Sequence, residues 1–380
     1  MSLVIRNARI VTPGFECPSG TVLVEGDRIS AVAAGDPGWH ADAAIDAAGA
    51  MLTPGFIDVH CHGRNNCDFS DGSAEGVAKI ARGKLEEGVT TLLPTTLTLS
   101  HEALAAALES IRAYDQSAVR IPGVHLEGPF VNVKFAGAQN PAYVRLPDPA
   151  EVESLNAIFP VRKITCAIEL DGAAGLISAM ERRGIVVSCT HSGANYGEFL
   201  AAYAAGLRNL SHFCNQMTPL HHRDIGLVGA GLLHRDVFAE FICDKLHISP
   251  PMIRLVFQTK GADHVILITD AMRAAGMPDG DYTLGGLPVV VKEGAARLRE
   301  GGALAGSTLQ LATAFRNVCE VTGLPPCEVV KSTSLSAATS LGLAGFGRIA
   351  PGYFADLVLL DGEFGVLWTM VGGEIRYRRG

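Results

Sequence analysis

Hydrophobic and polar positions along this 380-residue chain fall into two regimes. Leu3–Thr12 and Thr21–Val24 are short β-type runs, and Arg28–Val32 is a third that follows the turn residues Gly26-Asp27, so the beginning predicts a small antiparallel module. From Phe56 the pattern alternates between apolar runs of strand length and amphipathic stretches of helix length. Strands are expected at Phe56–His60, Thr90–Thr96, Ile121–Leu126, Ile164–Glu169, Val186–Thr190, Asn209–Phe213, Val237–Ile242 and His264–Thr269. Helices are expected at Ala74–Glu87, Glu102–Tyr114, Ala173–Arg183, Tyr196–Ala205 and Pro251–Lys260. Within the second of these, Leu104, Leu108 and Ile111 recur at i, i+4 and i+7 and share one face. Eight strands alternating with helices specify a closed (β/α)8 TIM-like barrel, an α/β fold whose chemistry lies at the C-terminal ends of its strands.

A hairpin-like segment, Tyr282–Leu298, and a glycine-rich turn at Gly301–Ser307 follow, then two helices as far as Leu343. Phe354–Leu360 and Val366–Arg379 return to a β pattern and are expected to pair with the N-terminal strands. Residues 1–53 and 348–380 would then make a small β-sandwich domain from both chain ends, and 54–347 the barrel.

Composition narrows the class. Hydrophobic residues make up 48% and charged residues 18% of the chain, which suits a well-buried α/β enzyme and argues against disorder. The net charge is −8 without any basic cluster, so a nucleic-acid surface has no support and small-molecule chemistry is expected. Nine cysteines stand singly, with no CxxC pair, as reduced core residues of a cytoplasmic protein would. No basic-then-apolar leader is seen, and no apolar run reaches the roughly 18 residues of a membrane span.

The candidate chemistry begins at Thr53–Gly63. Pro54-Gly55 marks a turn into a strand, and because successive strand side chains alternate, His60 and His62 share a face while Cys61 turns away. An HxH pair alone is weak, since two histidines near a loop are commonplace. It gains weight from other strand ends: Glu127, His191, His212 and Asp270 each follow or close an expected strand. His191 and His212 are one strand–helix–strand unit apart, so adjacent strands present both at one rim. Glu127, His191 and His212 provide three ligands with a fourth position open, the pattern of a catalytic metal site, and His60, His62 and Asp270 can hold a second ion. Histidine and carboxylate ligands suit a divalent zinc, iron, cobalt or manganese ion, one or two per chain, zinc being the first choice.

Longer motifs carry a resemblance: PGFIDVHCHG at 54–63, HLEGPF at 125–130, GAQNP at 137–141, THS at 190–192, SHFCNQMTPLHHRDIGLVGAGL at 211–232, LITDAM at 267–272, LAGSTL at 304–309 and ADLVLLD at 355–361. In these the chain resembles the N-acetylglucosamine-6-phosphate deacetylase family of the amidohydrolase superfamily, nearly end to end. The resemblance implies that Glu127, His191 and His212 bind the principal metal and that Asp270 is the catalytic acid/base. It implies that Asn215, Arg223 and His247 contact the sugar phosphate, and that Gln216, Leu304, Ala305 and Gly306 line the substrate site. Gln139 stands where many members carry a histidine that polarises the substrate carbonyl. Members keeping both histidines of the first motif use two metals, so His60 and His62 place this chain with them. A small-molecule amino-sugar phosphate substrate and a homodimer are implied as well, beside the expectation from composition of no nucleic-acid or membrane partner.

Three departures bear on substrate choice: Gln216 in place of a usual alanine, Lys245 in place of a glycine, and Arg64-Asn65-Asn66 in place of a glycine-rich run. The HHRD run at 221–224 and DAMRAAGMPDG at 270–280 also resemble the N-acetylgalactosamine-6-phosphate branch. Two other readings stand beside the deacetylase. One is a different amidohydrolase, but those often use a carboxylated lysine on the fourth strand, and Ala167-Ile168-Glu169-Leu170 offers none. The other is a catalytically silent binding protein, since a fold does not establish an activity.

Overall fold

A computed structural model describes residues 1–380. Eight parallel strands run in chain order around a barrel: β1 Phe56–Cys61, β2 Val89–Thr96, β3 Val124–Phe130, β4 Val161–Cys166, β5 Val186–Cys189, β6 Asn209–Leu210, β7 Phe238–Phe241 and β8 Val265–Leu267. Each strand pairs with the next. Beyond the last strand, the barrel closes through the Cys61–Ala271 bridge and a hydrogen bond from the Asp270 N–H to the His60 carbonyl, 2.8 Å.

Outside the strands lie α1 Ala74–Leu85, α2 His101–Arg112, α3 Pro149–Ile158, α4 Ala173–Glu181, α5 Tyr196–Ala204, α6 Gly226–Leu233 and α7 Pro250–Lys260. The last of the set is α8, Leu311–Thr322. Side-chain caps start several of them, as Ser73 does for α1, Ser100 for α2 and Asn195, in a reciprocal box with Glu198, for α5. The expected face of α2 is observed, since Leu104, Leu108 and Ile111 are all fully buried. Two helices, α3 and α6, were not expected. Asp148 caps α3 ahead of a proline at its first turn, whereas α6 is GLVGAGLL, buried along most of its length and without a polar face to show a period.

Strands from both chain ends join into one eight-stranded sheet, in the order 374–378, 366–371, 357–360, 51–54, 2–12, 15–25, 28–34, with 43–46 beside 2–12. The expected sandwich is thus one continuous hydrogen-bonded sheet. It has its own core, with Ile5, Ile10, Val22, Val24, Leu357, Trp368 and Met370 in one cluster. The expected hairpin is a three-stranded sheet, Gly280–Leu284, Leu287–Lys292 and Ala295–Leu298, carried on the segment after β8. No helix is long and apolar enough to cross a membrane.

Candidate metal centre

All the chemistry-bearing residues collect at the C-terminal pole of the barrel. His60 lies on β1 and Glu127 on β3, while His191, His212 and Asp270 stand just beyond β5, β6 and β8. Those last three have φ of 49°, 30° and 48°, a left-handed conformation costly for a residue with a Cβ. Backbone hydrogen bonds hold each bend: Asn132 N–H to the His191 carbonyl, 2.9 Å, Asn215 N–H to that of His212, 2.9 Å, and Ser307 N–H to that of Asp270, 2.7 Å. The strain turns each side chain inward where its strand stops. Gly128 serves the same end on β3: its φ is 88°, and a Cβ there would meet the Thr98 hydroxyl at 2.1 Å.

Glu127 is the hub. Its Oε1 lies 3.0 Å from His212 Nε2, 3.2 Å from His60 Nε2 and 3.4 Å from His191 Nε2, and its Oε2 lies 3.1 Å from His62 Nε2. Asp270 Oδ1 is 3.2 Å from His62 Nε2 and 3.5 Å from His60 Nε2. The other nitrogen of every histidine faces an acceptor: Nδ1 of His191 the Phe135 carbonyl at 2.8 Å, Nδ1 of His62 that of Thr95 at 3.2 Å, Nδ1 of His212 that of Asn215 at 3.2 Å, and Nδ1 of His60 the Glu240 carboxylate at 3.4 Å. A ring nitrogen beside a carbonyl or carboxylate donates its proton, so in each ring Nε2 is the atom left to meet the hub, as a proton carrier or, once deprotonated, as a ligand.

That donor set fits a cation. Nε2 of His191 and of His212 stand 3.2 Å apart, and the buried Nε2 of His60, though 3.2 Å from Glu127 Oε1, makes no hydrogen bond of good geometry. Two triplets satisfy ligand spacing, His60–His62–Glu127 and Glu127–His191–His212, with the carboxylate shared between them. Burial disfavours charge on His60, yet the Glu127 and Asp270 carboxylates outweigh it and push the imidazole up to about 9. Burial likewise opposes charge on His62, whose bonds to Asp270 and Glu127 still raise it well above its usual value. Burial would raise Glu127, but His60 and the hydrogen bonds of His191 and His212 hold it well below the usual carboxylate range. The pocket thus demands positive charge, which a divalent ion supplies more fully than protons.

Above the hub opens a cavity of about 220 Å³. His62, Glu127, His191, His212 and Asp270 form its floor, and Gln139, Asn215, Gln216, His247, Leu304 and Gly306 its walls. The Gln139 amide is fixed in orientation, its Oε1 accepting from the Thr98 N–H at 2.7 Å and its Nε2 donating to Glu127 Oε2 at 2.6 Å. His247 is tied to Asp244 through its ring, 2.7 Å, and its backbone N–H, 2.8 Å.

Three expected site residues stand elsewhere. His60 lies beneath the floor, fully buried. Ala305 does not line the cavity: it is fully buried, and its N–H donates to the Ala296 carbonyl, 3.1 Å, fastening the turn to the three-stranded sheet. Arg223 is exposed, outside the cavity lining, with its guanidinium 2.8 Å from His222 Nε2. Lys245, one of the departures, is paired with Glu320 at 2.8 Å and is also absent from the lining. Arg64 is buried too, held between Glu86 and Glu87.

Sequence reasoning missed the apolar walls, Leu97, Ile242 and Leu284, the last of which comes from the three-stranded sheet. It also missed Glu240 on β7 and Lys163 on β4, a buried pair beneath His60. The fourth strand does hold a lysine, but in its middle and bound to a carboxylate, not at its end. Nothing in the local text of either strand distinguishes these residues from surface charges.

An eight-stranded barrel with histidines and carboxylates gathered at its C-terminal pole defines a metal-type hydrolase architecture. The amidohydrolase family model matches residues 51–237 and 245–376. An N-acetylglucosamine-6-phosphate deacetylase of Lysinibacillus sphaericus is 35% identical over 99% of this chain and 98% of its own. An N-acetylgalactosamine-6-phosphate deacetylase of Escherichia coli O157:H7 is 38% identical over 86% of this chain and 87% of its own. Among solved structures, an alanine variant of the Mycobacterium smegmatis N-acetyl-D-glucosamine-6-phosphate deacetylase, in complex with N-acetyl-D-glucosamine-6-phosphate, superposes with a TM-score of 0.93 at 33% identity, covering 99% of each chain. The chain belongs to the amidohydrolase family, among its N-acetylglucosamine-6-phosphate deacetylases.

Proposed function

We propose that this protein hydrolyses the N-acetyl group of N-acetylglucosamine-6-phosphate, giving acetate and the free amino-sugar phosphate. The observation that carries the reading is the convergence of Glu127, His191, His212, His62 and Asp270 on the floor of one cavity, with His60 directly beneath them against Glu127. Glu127, His191 and His212 would hold the principal divalent ion, and His60 and His62 would share Glu127 to hold a second. Such an ion makes hydroxide available near neutral pH and polarises an amide carbonyl.

The chain's own residues do the rest. Asp270, at the edge of the ligand set, takes the proton from the attacking water and passes it to the departing nitrogen. Gln139 keeps one amide hydrogen free once the other is given to Glu127, and offers it to the acyl oxygen. Asn215, Gln216, Leu304 and Gly306 bound the sugar, and His247, steadied by Asp244, faces the phosphate. Arg223 shares the rim with the exposed Leu220, and Leu146, Leu246 and Met277 are exposed on neighbouring loops of the same pole. These exposed apolar side chains on loops of one pole are the support for a homodimer joined there, and nine free thiols support a reducing, cytoplasmic setting.

A hydrolysis screen over N-acetylated hexosamines, each with and without a 6-phosphate, tests the reading. Release of acetate should be fastest from N-acetylglucosamine-6-phosphate. Faster turnover of the galacto epimer would reassign the sugar, and no turnover of any member by the metal-loaded protein would refute the activity.

A further inference from the structure

Beneath the centre, the barrel interior holds a buried ion pair to which no role has so far been assigned. Glu240 on β7 and Lys163 on β4 are each 1% exposed and joined Oε1 to Nζ, and the other carboxylate oxygen lies 3.4 Å from His60 Nδ1. Stability is a weak reason for such a pair, because desolvating two charges consumes most of what their attraction returns. Its placement is more telling. His62 and His191 direct Nδ1 at a backbone carbonyl and His212 directs it at the Thr190 hydroxyl and the Asn215 carbonyl, all neutral, whereas His60 alone meets a carboxylate. A carboxylate behind an imidazole raises its basicity as a ligand more than a carbonyl does and fixes its tautomer.

The rest of the surroundings preserve that difference. The His125 ring packs edge-on to His60 with centroids 4.6 Å apart, itself held by the Thr165 hydroxyl at 2.9 Å and that of Thr95 at 3.4 Å. Lys163 occupies one oxygen of Glu240 and so decides which one faces His60. The pair adds no net charge, but its negative end lies at His60.

We infer that the Glu240–Lys163 pair is a positioning device that tightens the inner cation position, formed by His60, His62 and Glu127, and so sets whether this chain works with one ion or two. The inference rests on the two-ion reading above and assigns its control to residues outside the ligand set. It acts on His60 alone, so the outer position formed by Glu127, His191 and His212 should be little affected.

The test measures zinc per chain by elemental analysis after dialysis, and zinc affinity by competition with a chromophoric chelator, on the full-length protein. Glu240→Gln should weaken the inner position by about 10- to 100-fold, the usual effect of losing such a partner, and change the outer by less than about 3-fold. The zinc content should then fall from two towards one. Because Glu240→Gln leaves a buried lysine unpaired, the double variant Glu240→Gln with Lys163→Met is measured beside it and should show the same selective loss. Two zinc ions bound as tightly by the double variant as by the wild type, or equal weakening at both positions, would overturn the inference alone. A wild type that takes up only one zinc would overturn the two-ion reading itself.

Discussion

Asp270 and its neighbours divide the labour so closely in space that only their chemistry tells them apart. Asp270 Oδ1 sits within 3.5 Å of both first-motif histidines, yet Asp270 belongs to neither of the two ligand triplets, which both use Glu127. Asp270→Asn should therefore lower kcat by at least about 10²-fold, a usual share for general acid–base catalysis, while metal content stays at the wild-type level. Steady-state kinetics paired with elemental analysis checks both halves, and loss of the metal instead would make Asp270 chiefly a ligand. His247 and Arg223 make a second pair to separate. A charge-assisted hydrogen bond is worth about 1.5 to 3 kcal/mol, so replacing the phosphate donor by alanine should cost roughly 10- to 150-fold in kcat/KM on the phosphorylated sugar and little on the unphosphorylated one. His247 lines the cavity and Arg223 does not, so the His247→Ala loss should appear whatever the oligomeric state. The Arg223→Ala loss should appear only in the homodimer proposed for this pole, and its absence from a dimeric protein would remove Arg223 from the phosphate site.

At the scale of elements, the amphipathic alternation made the barrel legible, since most strands that bury both faces are short apolar runs and the expected helices show one dry side. The strand ends were legible to within a few residues, which was enough to place Glu127, His191, His212 and Asp270 at one pole. What stayed hidden depends on contacts between elements distant in sequence. α6 has no polar face because it is packed nearly all round, and Glu240 and Lys163 acquire meaning only when β7 and β4 bring them under His60. Arg223 illustrates the converse: its motif resembles a phosphate contact, but the loop carrying it turns to solvent. The end of β3 shows how an element's backbone governs the site. Gly128→Ala would bring a Cβ to 2.1 Å from the Thr98 hydroxyl in a left-handed conformation, moving Glu127, the carboxylate on which both triplets depend. The expected outcome is a loss of more than about 1 kcal/mol of stability together with weaker metal binding. Thermal melts with and without added zinc would show it, and a variant with unaltered melting and zinc content would mean that β3 yields without disturbing Glu127.

The whole molecule separates its two tasks between the two ends of the barrel. Strand 51–54 runs through Gly55 directly into β1, and strand 357–360 pairs against it, so the sheet built from both chain ends joins the barrel where β1 begins. Asp356 fastens the junction: both its oxygens take the Arg120 guanidinium, at 2.9 and 3.2 Å, and one accepts from the Gly372 N–H at 2.7 Å. Arg120 itself bonds through its backbone to Thr90 at the start of β2, and the Gly55 N–H donates to the Asp356 carbonyl. These contacts lie at the N-terminal pole, the length of a strand away from the metal ligands, where a barrel's residues serve stability and not catalysis. Burial pushes the Asp356 carboxyl up in spite of Arg120, so removing the guanidinium strands a buried acid. Arg120 is 29% exposed, which reduces the cost below that of a fully buried pair, to about 1 to 3 kcal/mol. Arg120→Ala should therefore lower the melting temperature by a few degrees and leave zinc content and kcat unchanged well below that temperature. A fall in kcat or zinc content at an unchanged melting temperature would show instead that the junction is coupled to the metal centre through β1, on which His60 and Asp58 both lie.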